Sequence, residues 1–174
     1  MLVPGKDYHI RPLSEKDDLE ELTRLLNKSY GKLAERGFRY LASHQDAEMT
    51  KQRIQNGHCL VAVKGDRIIG TICYYSPGNK SYGKWFHSAN AASWGQFAVD
   101  LSLQGNGIGN NLILAAEDLA RTDRAEEILI DTAEGAHDLI AFYGERDYHF
   151  VAWAQWDETN YRSAVLRKKI HYST

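Results

Sequence analysis

The run Gln104-Gly105-Asn106-Gly107-Ile108-Gly109 sets three glycines where a β-rich stretch, Ser93 to Asp100, hands over to a helical one starting at Ile108. Glycine has no Cβ, so backbone N–H groups point outward unobstructed, and the first turn of a helix leaves its N–H groups without intrahelical partners. The helix dipole adds positive potential, so the junction suits an anion without needing a lysine. A pyrophosphate fits best, because its many acceptor oxygens can meet several convergent donors. Two other phosphate loops compete for the same residues. A Walker loop ends in Gly-Lys-Ser/Thr, whereas Gly109 is followed by Asn110 and Asn111. A dinucleotide fingerprint has two residues between its second and third glycines, whereas Ile108 alone separates Gly107 from Gly109. Asp131, about twenty residues downstream, stands where that fingerprint has its ribose-binding acid and keeps a nucleotide-binding domain as an alternative. A tight turn with a close helix-to-strand approach is the structural alternative.

The elements that must position this junction follow from periodicity. Tyr8 to Arg11 alternates as a strand stopped by Pro12, and Ser14-Glu15-Lys16-Asp17 has the form of a capping box. Leu19, Leu22, Leu25 and Leu26 then form the buried stripe of a first helix. Asp46 to Asn56 predicts a second, short helix closed by Gly57. His58 to Val63 and Arg67 to Tyr75 read as an antiparallel hairpin. A two-residue turn at Gly65-Asp66 pairs Cys59 with Ile72 and puts Cys73 on the other face, so both cysteines are expected to be core residues without a disulfide. Ser76 to Asn90 is a long aperiodic connection, the candidate substrate loop. Beyond the glycines come a helix from Ile108 to Arg121, a strand from Glu127 to Thr132, a short helix from Ala136 to Tyr143, and strands at Tyr148 to Trp156 and Tyr161 to Ile170. This order predicts an α/β fold with a mixed, mostly antiparallel sheet of about seven strands and helices on both faces. By its place alone, Tyr143 is an aromatic at the end of an amphipathic helix, its hydroxyl reaching solvent or a carbonyl.

The 174 residues suit one domain, 1–174. A net charge of −2 offers nothing overall to nucleic acid or an anionic membrane surface. The first residues lack a leader's apolar run and no segment has the length of a spanning helix, so a cytoplasmic location is expected. No Cys/His grouping has a zinc spacing, and no metal is expected.

The segment Gly95-Gln96-Phe97-Ala98-Val99-Asp100, then Gln104 to Gly109, then Leu112, closely resembles the signature of the GNAT superfamily of N-acetyltransferases, Gln/Arg-x-x-Gly-x-Gly/Ala after a strand. Ala141-Phe142-Tyr143 resembles that family's Phe-Tyr pair on the last helix, and the order of elements is similar along nearly the whole chain. The resemblance implies that acetyl-CoA is the acyl donor. Its pantetheine arm would lie along Phe97, Ala98 and Val99, and its pyrophosphate on Gln104, Gly105, Asn106, Gly107, Ile108, Gly109 and Asn110. It implies direct attack by an amine, from a small molecule or a protein, in a ternary complex. The Val99 N–H would face the thioester oxygen, and Tyr143 would protonate the leaving thiolate. A protein of the same fold that binds the coenzyme without catalysis is the alternative.

Two departures matter. Ser93 stands where many relatives carry a glutamate base, which leaves Asp131, Glu134, His87 or a water chain as substitutes and no base assigned. Asp147 replaces a glycine that closes the last helix in a left-handed conformation, and Arg146 replaces an apolar residue. The acceptor pocket is expected from the first two helices and the long connection, where Tyr30, Arg36, His44, Tyr82, Trp85 and His87 are available and the aromatic ones offer their faces to a cationic amine. Trp153 and Trp156 are candidates for contact with a second copy of the chain.

Overall fold

The computed structural model describes residues 5–78 and 90–172. Strand β1 (His9–Pro12) leads to helix α1 (Leu19–Glu35), and helix α2 (Ala47–Ile54) to strands β2 (His58–Lys64) and β3 (Arg67–Tyr75). Strand β4 (Ala91–Val99), helix α3 (Ile108–Thr122), strand β5 (Glu127–Ala133), helix α4 (His137–Gly144) and strands β6 (His149–Gln155) and β7 (Arg162–Lys169) follow. The strands form one sheet in the order β1-β2-β3-β4-β5-β7-β6. All neighbours are antiparallel except β4 and β5. This is the mixed, mostly antiparallel seven-stranded sheet expected from the order of elements.

Three local expectations are corrected. Asp18, not a Ser14 box, caps α1, accepting from the Glu20 N–H at 2.9 Å. Asp17 is held instead by Arg11 and the Ser14 N–H, each at 2.7 Å. Gly57 is not a left-handed cap: a Cβ there would meet Cys73 Sγ at 2.6 Å and the Tyr74 carbonyl at 2.7 Å, so close approach to β3 demands glycine. A bulge between Ala62 and Val63 shifts the hairpin register by one residue, so Cys59 faces Cys73. Both cysteines are free and buried, the core role expected of them.

One departure from regular pairing shapes the molecule. Ala91, Ala92 and Ser93 of β4 pair with Glu127, Ile128 and Leu129 of β5, and there the ladder ends. Beyond it β5 stays paired with β7 as far as Ala133, while β4 stays paired with β3 as far as Val99. A second bulge lies here, with Gln96 at φ 48 and two β4 residues opposite Ile72. Bulges bend a strand and increase its twist, so β4 turns away from β5. Gln96 is buried, its amide 3.0 Å from that of Gln45 and 2.9 Å from the Arg53 guanidinium.

Candidate active site

The gap between β4 and β5 is a cavity of about 530 Å³, walled by α1, the glycine junction and α4. Gly105 and Gly107 have φ 81 and 82, left-handed values that only glycine adopts without strain. Gly107 is the N-terminal cap of α3 and brings no side chain to its first turn. Among the described residues, no protein acceptor takes the backbone N–H groups from Gly105 to Asn110; the first helical bond is from Asn111 N–H to the Gly107 carbonyl at 3.0 Å. Gly109 serves close packing, since a Cβ would lie 3.1 Å from the Phe97 ring.

Val99 supplies another donor. The Asp100 N–H donates to the Ile69 carbonyl at 2.9 Å, and Gly70 faces Val99. Antiparallel alternation therefore turns the Val99 N–H away from β3, toward the gap. Its carbonyl is not free: Ser29 Oγ donates to it at 3.0 Å and Gln104 Nε2 at 3.4 Å. A ligand lying along β4 meets a donor at Val99 rather than a full strand edge.

Tyr143 is buried at the cavity wall, its ring edge-on to Trp94, Phe142 and Tyr148 with centroids 5.6, 5.4 and 6.4 Å away. Its hydroxyl makes no hydrogen bond to a described residue, and the residue lines the cavity. Burial, then the nearby Tyr30, Tyr40, Tyr148 and Asp131, raises this phenol well above its ordinary range, so it keeps its proton. Asp147 does take the left-handed conformation, φ 68, and the Tyr148 N–H returns to the Tyr143 carbonyl at 3.1 Å, so α4 closes as a glycine would close it. Arg146 lines the cavity with its guanidinium 3.6 Å from the Phe142 ring centre, held by the Phe142 carbonyl at 2.6 Å and Asn110 Oδ1 at 3.2 Å.

The cavity gathers Phe97, Ala98, Val99, Gln104, Gly105, Gly107, Ile108, Gly109, Asn110 and Tyr143. Asn106 stands outside its lining, exposed, with Nδ2 donating to the Leu103 carbonyl at 3.1 Å. Of the expected acceptor residues Tyr30 lines the cavity, whereas Arg36 pairs with Asp138 at 3.0 Å and His44 lines a separate hollow with Arg39 and Asp157. Tyr82, Trp85, His87 and most of the candidate substrate loop fall outside the described residues. Among the substitute bases Asp131 lines the cavity, while Glu134 is paired with Arg162 at 2.9 Å. Trp153 is exposed beneath Arg162, but Trp156 is not: its Nε1 donates to Asp131 at 2.9 Å. Sequence reasoning missed Ser29 and Tyr40, which no motif or period marks. Among the described residues no group of metal-ligating side chains occurs and no helix is long and apolar enough to cross a membrane.

The seven-stranded sheet parts at its parallel pair, and the glycine junction and a buried phenol meet on the cavity so formed. The model of the acetyltransferase (GNAT) family matches residues 19–150, and the chain belongs to that family. No curated protein matches it. Similar solved structures include a GNAT family acetyltransferase from Elizabethkingia anophelis with acetyl-CoA bound, at TM-score 0.69 and 15% identity over 95% of this chain and 99% of that one. A Bacillus subtilis acetyltransferase in complex with CoA has TM-score 0.68 and 19% identity over 94% and 99%. The ribosomal-protein-alanine N-acetyltransferase of Brucella melitensis has 0.71 and 19% over 93% and 99%. At these identities the likeness is one of fold.

Proposed function

We propose that the chain, acting as one domain, is an N-acetyltransferase that moves an acetyl group from acetyl-CoA to an amine in a ternary complex. The observation that carries this reading is the meeting, at one cavity, of Gly105, Gly107, Ile108, Gly109 and Asn110, whose N–H groups have no described acceptor, with an inward Val99 N–H and the Tyr143 ring. The residues fit the coenzyme: the junction offers donors to a pyrophosphate, and the parted strands leave room for an extended arm. Two similar structures hold acetyl-CoA or CoA.

Acetyl-CoA supplies the acyl thioester. The N–H groups of Gly105 to Asn110 bind the pyrophosphate oxygens, and the Val99 N–H donates to the thioester oxygen as negative charge grows there. Tyr143 Oη carries the proton for the leaving sulfur. Arg146 and Phe142 close the wall above the junction and exclude water. The test is release of free thiol from acetyl-CoA in the presence of a panel of amines, beside calorimetric titration of acetyl-CoA. Binding with amine-dependent thiol release supports the reading. Binding without transfer leaves a coenzyme-binding protein, and tight NAD or ATP binding without acetyl-CoA binding overturns it.

A further inference from the structure

On the β5 side the cavity ends in a carboxylate among phenols. Asp131 and Thr132 line it together with Tyr30 from α1, Tyr40 from the segment after α1, and Tyr143. The Tyr30 and Tyr40 rings are tilted with centroids 5.2 Å apart, and Tyr161 backs Tyr40 at 4.9 Å. Tyr40 is locked in place by a 2.7 Å hydrogen bond shared with Thr132 Oγ1 and by the Ala133 N–H at 2.9 Å. Asp131 takes a hydrogen bond from Trp156 Nε1 at 2.9 Å, has the buried Ser163 hydroxyl nearby, and forms no ion pair with a described residue. Arg53 acts on it through space but is committed to Gln45 and Gln96 and stands outside the cavity lining. A carboxylate so enclosed, walled by aromatic faces, lacks only a cation.

We propose that this end of the cavity binds the acceptor as its ammonium ion, with Tyr30 and Tyr40 as walls and Asp131 as counter-ion and proton acceptor, and that the acceptor is a small amine with no carboxylate beside its nitrogen. The assignment rests on the acyltransferase reading. One ammonium N–H bond breaks, one carboxyl O–H bond forms, and the pair passes from opposite charges to none, leaving a lone pair on nitrogen. Burial favours that neutral pair, and it already raises the Asp131 carboxyl above its ordinary range, with the Trp156 N–H opposing. A carboxylate beside the nitrogen would press against Asp131 and find no spare cation at that end among the described residues of the lining.

The segment that carries Tyr40 is tied to the β6–β7 connection, which favours a small acceptor on that side. Asn160, between β6 and β7, staples that connection to the segment after α1, its Nδ2 donating to the Gly37 carbonyl and its Oδ1 accepting from the Arg39 N–H, both at 3.0 Å. Phe38 meets the Tyr161 ring edge-on at 6.3 Å and packs on Gly135, where a Cβ would lie 2.6 Å from it. A peptide would need these two segments apart.

The probes are phenethylamine, phenylalanine and an alanyl tripeptide amide, with wild type, Asp131→Asn and Tyr40→Leu, reading thiol release from acetyl-CoA and its dissociation constant by calorimetry. Phenethylamine is expected to outperform the other two by at least tenfold in kcat/KM. Asp131→Asn is expected to lose about 100-fold, the scale of one general base. It should also lose the acidic limb of the pH profile while acetyl-CoA affinity is kept. Asparagine can still accept from Trp156, so the fold survives, as circular dichroism would check. Tyr40→Leu is expected to raise KM for the amine more than it lowers kcat. The groups that face Asp131 are Tyr30, Tyr40, Tyr143, Tyr161, Trp156 and Arg53, and the five besides Arg53 are neutral across this range. Loss of acetyl-CoA binding in wild type overturns both readings. Acetyl-CoA binding with equal use of phenylalanine or the peptide, with no use of any carboxylate-free amine, or with an unchanged acidic limb in Asp131→Asn, overturns the acceptor assignment alone.

Discussion

Replacing Tyr143 with phenylalanine separates chemistry from stability more cleanly than any other change in this cavity. The ring keeps its edge contacts with Trp94, Phe142 and Tyr148, at 5.6, 5.4 and 6.4 Å between centroids. The hydroxyl has no described protein partner, so its removal breaks no hydrogen bond. The stability change is therefore expected within about 0.5 kcal/mol, well below the ~1 kcal/mol of a lost hydrogen bond. Catalysis should respond differently. Reference values of about 10 for a phenol and about 8.5 for a thiol make proton transfer to the leaving sulfur uphill by roughly 2 kcal/mol. Burial raises the Tyr143 phenol further, but a thiolate in the same cavity suffers the same desolvation, so the difference is not widened by as much. Losing the donor should lower kcat by at least tenfold, the lower end for one general acid being about 100-fold. Calorimetry should return an unchanged dissociation constant for acetyl-CoA, and no alkaline loss of activity below about pH 10 should be traceable to Tyr143. A kcat within twofold of wild type in a folded variant would remove Tyr143 from the chemistry.

Gly107→Ala meets no atom within 4 Å but must hold φ 82, so about 1–2 kcal/mol of strain is expected in stability, with weaker acetyl-CoA binding by calorimetry. Glu117→Ala leaves Lys168 Nζ, now at 2.8 Å, and the Tyr148 hydroxyl, now at 3.1 Å, without their buried acceptor; about 3–5 kcal/mol should be lost, a fall in melting temperature on the order of 10 °C. The Arg11 guanidinium, with Ser14, holds the Asp17 carboxyl below its usual range, so its stabilisation is full above the unfolded pKa of about 4 and fades as pH falls toward the lower folded value. Asp17→Asn should flatten that acid limb in thermal melts between about pH 2 and 5.

The order of elements and the glycine junction were legible because each has a period or a residue type that permits few alternatives. The local misreadings have physical causes. Asp17 and Asp18 are equal candidates to cap α1 until Arg11 of β1 captures Asp17. The two bulges carry no glycine: Gln96 takes φ 48 because Gln45 and Arg53 hold its side chain, a contact no local pattern announces. The other bulge, where Ile69 is the extra residue opposite Ala62 and Val63, brought Cys73 opposite Cys59. The proposed amine end was only partly legible: Tyr30 and Asp131 were candidates, but Tyr40 and Tyr161 were not. Tyr30, Tyr40, Asp131 and Tyr161 come from four separate elements and meet only through the sheet order β4-β5-β7-β6 and the Asn160 staple.

The serine at position 93 then has a positional explanation. Ser93 is the last β4 residue paired with β5, 6% exposed between Tyr75 and Leu129, and it stands outside the cavity lining. A glutamate there would have to reach the cavity from within the closed part of the sheet. Asp131 lies two residues beyond Leu129 on the opposite strand, past the point of parting, where its carboxylate meets the cavity directly. Under the acceptor assignment the carboxylate has crossed from one of the two parted strands to the other. Trp94 follows Ser93, the last β4 residue in register with β5. Its Nε1 donates to Tyr148 Oη at 3.0 Å, and Tyr148 in turn to Glu117, which Lys168 of β7 also meets. Such a buried polar chain adds little net stability but fixes geometry, and Trp94 is the ring against which Tyr143 stands. Under the proposed mechanism the two parted strands carry different duties, β4 orienting the acid through Trp94 and β5 carrying the base.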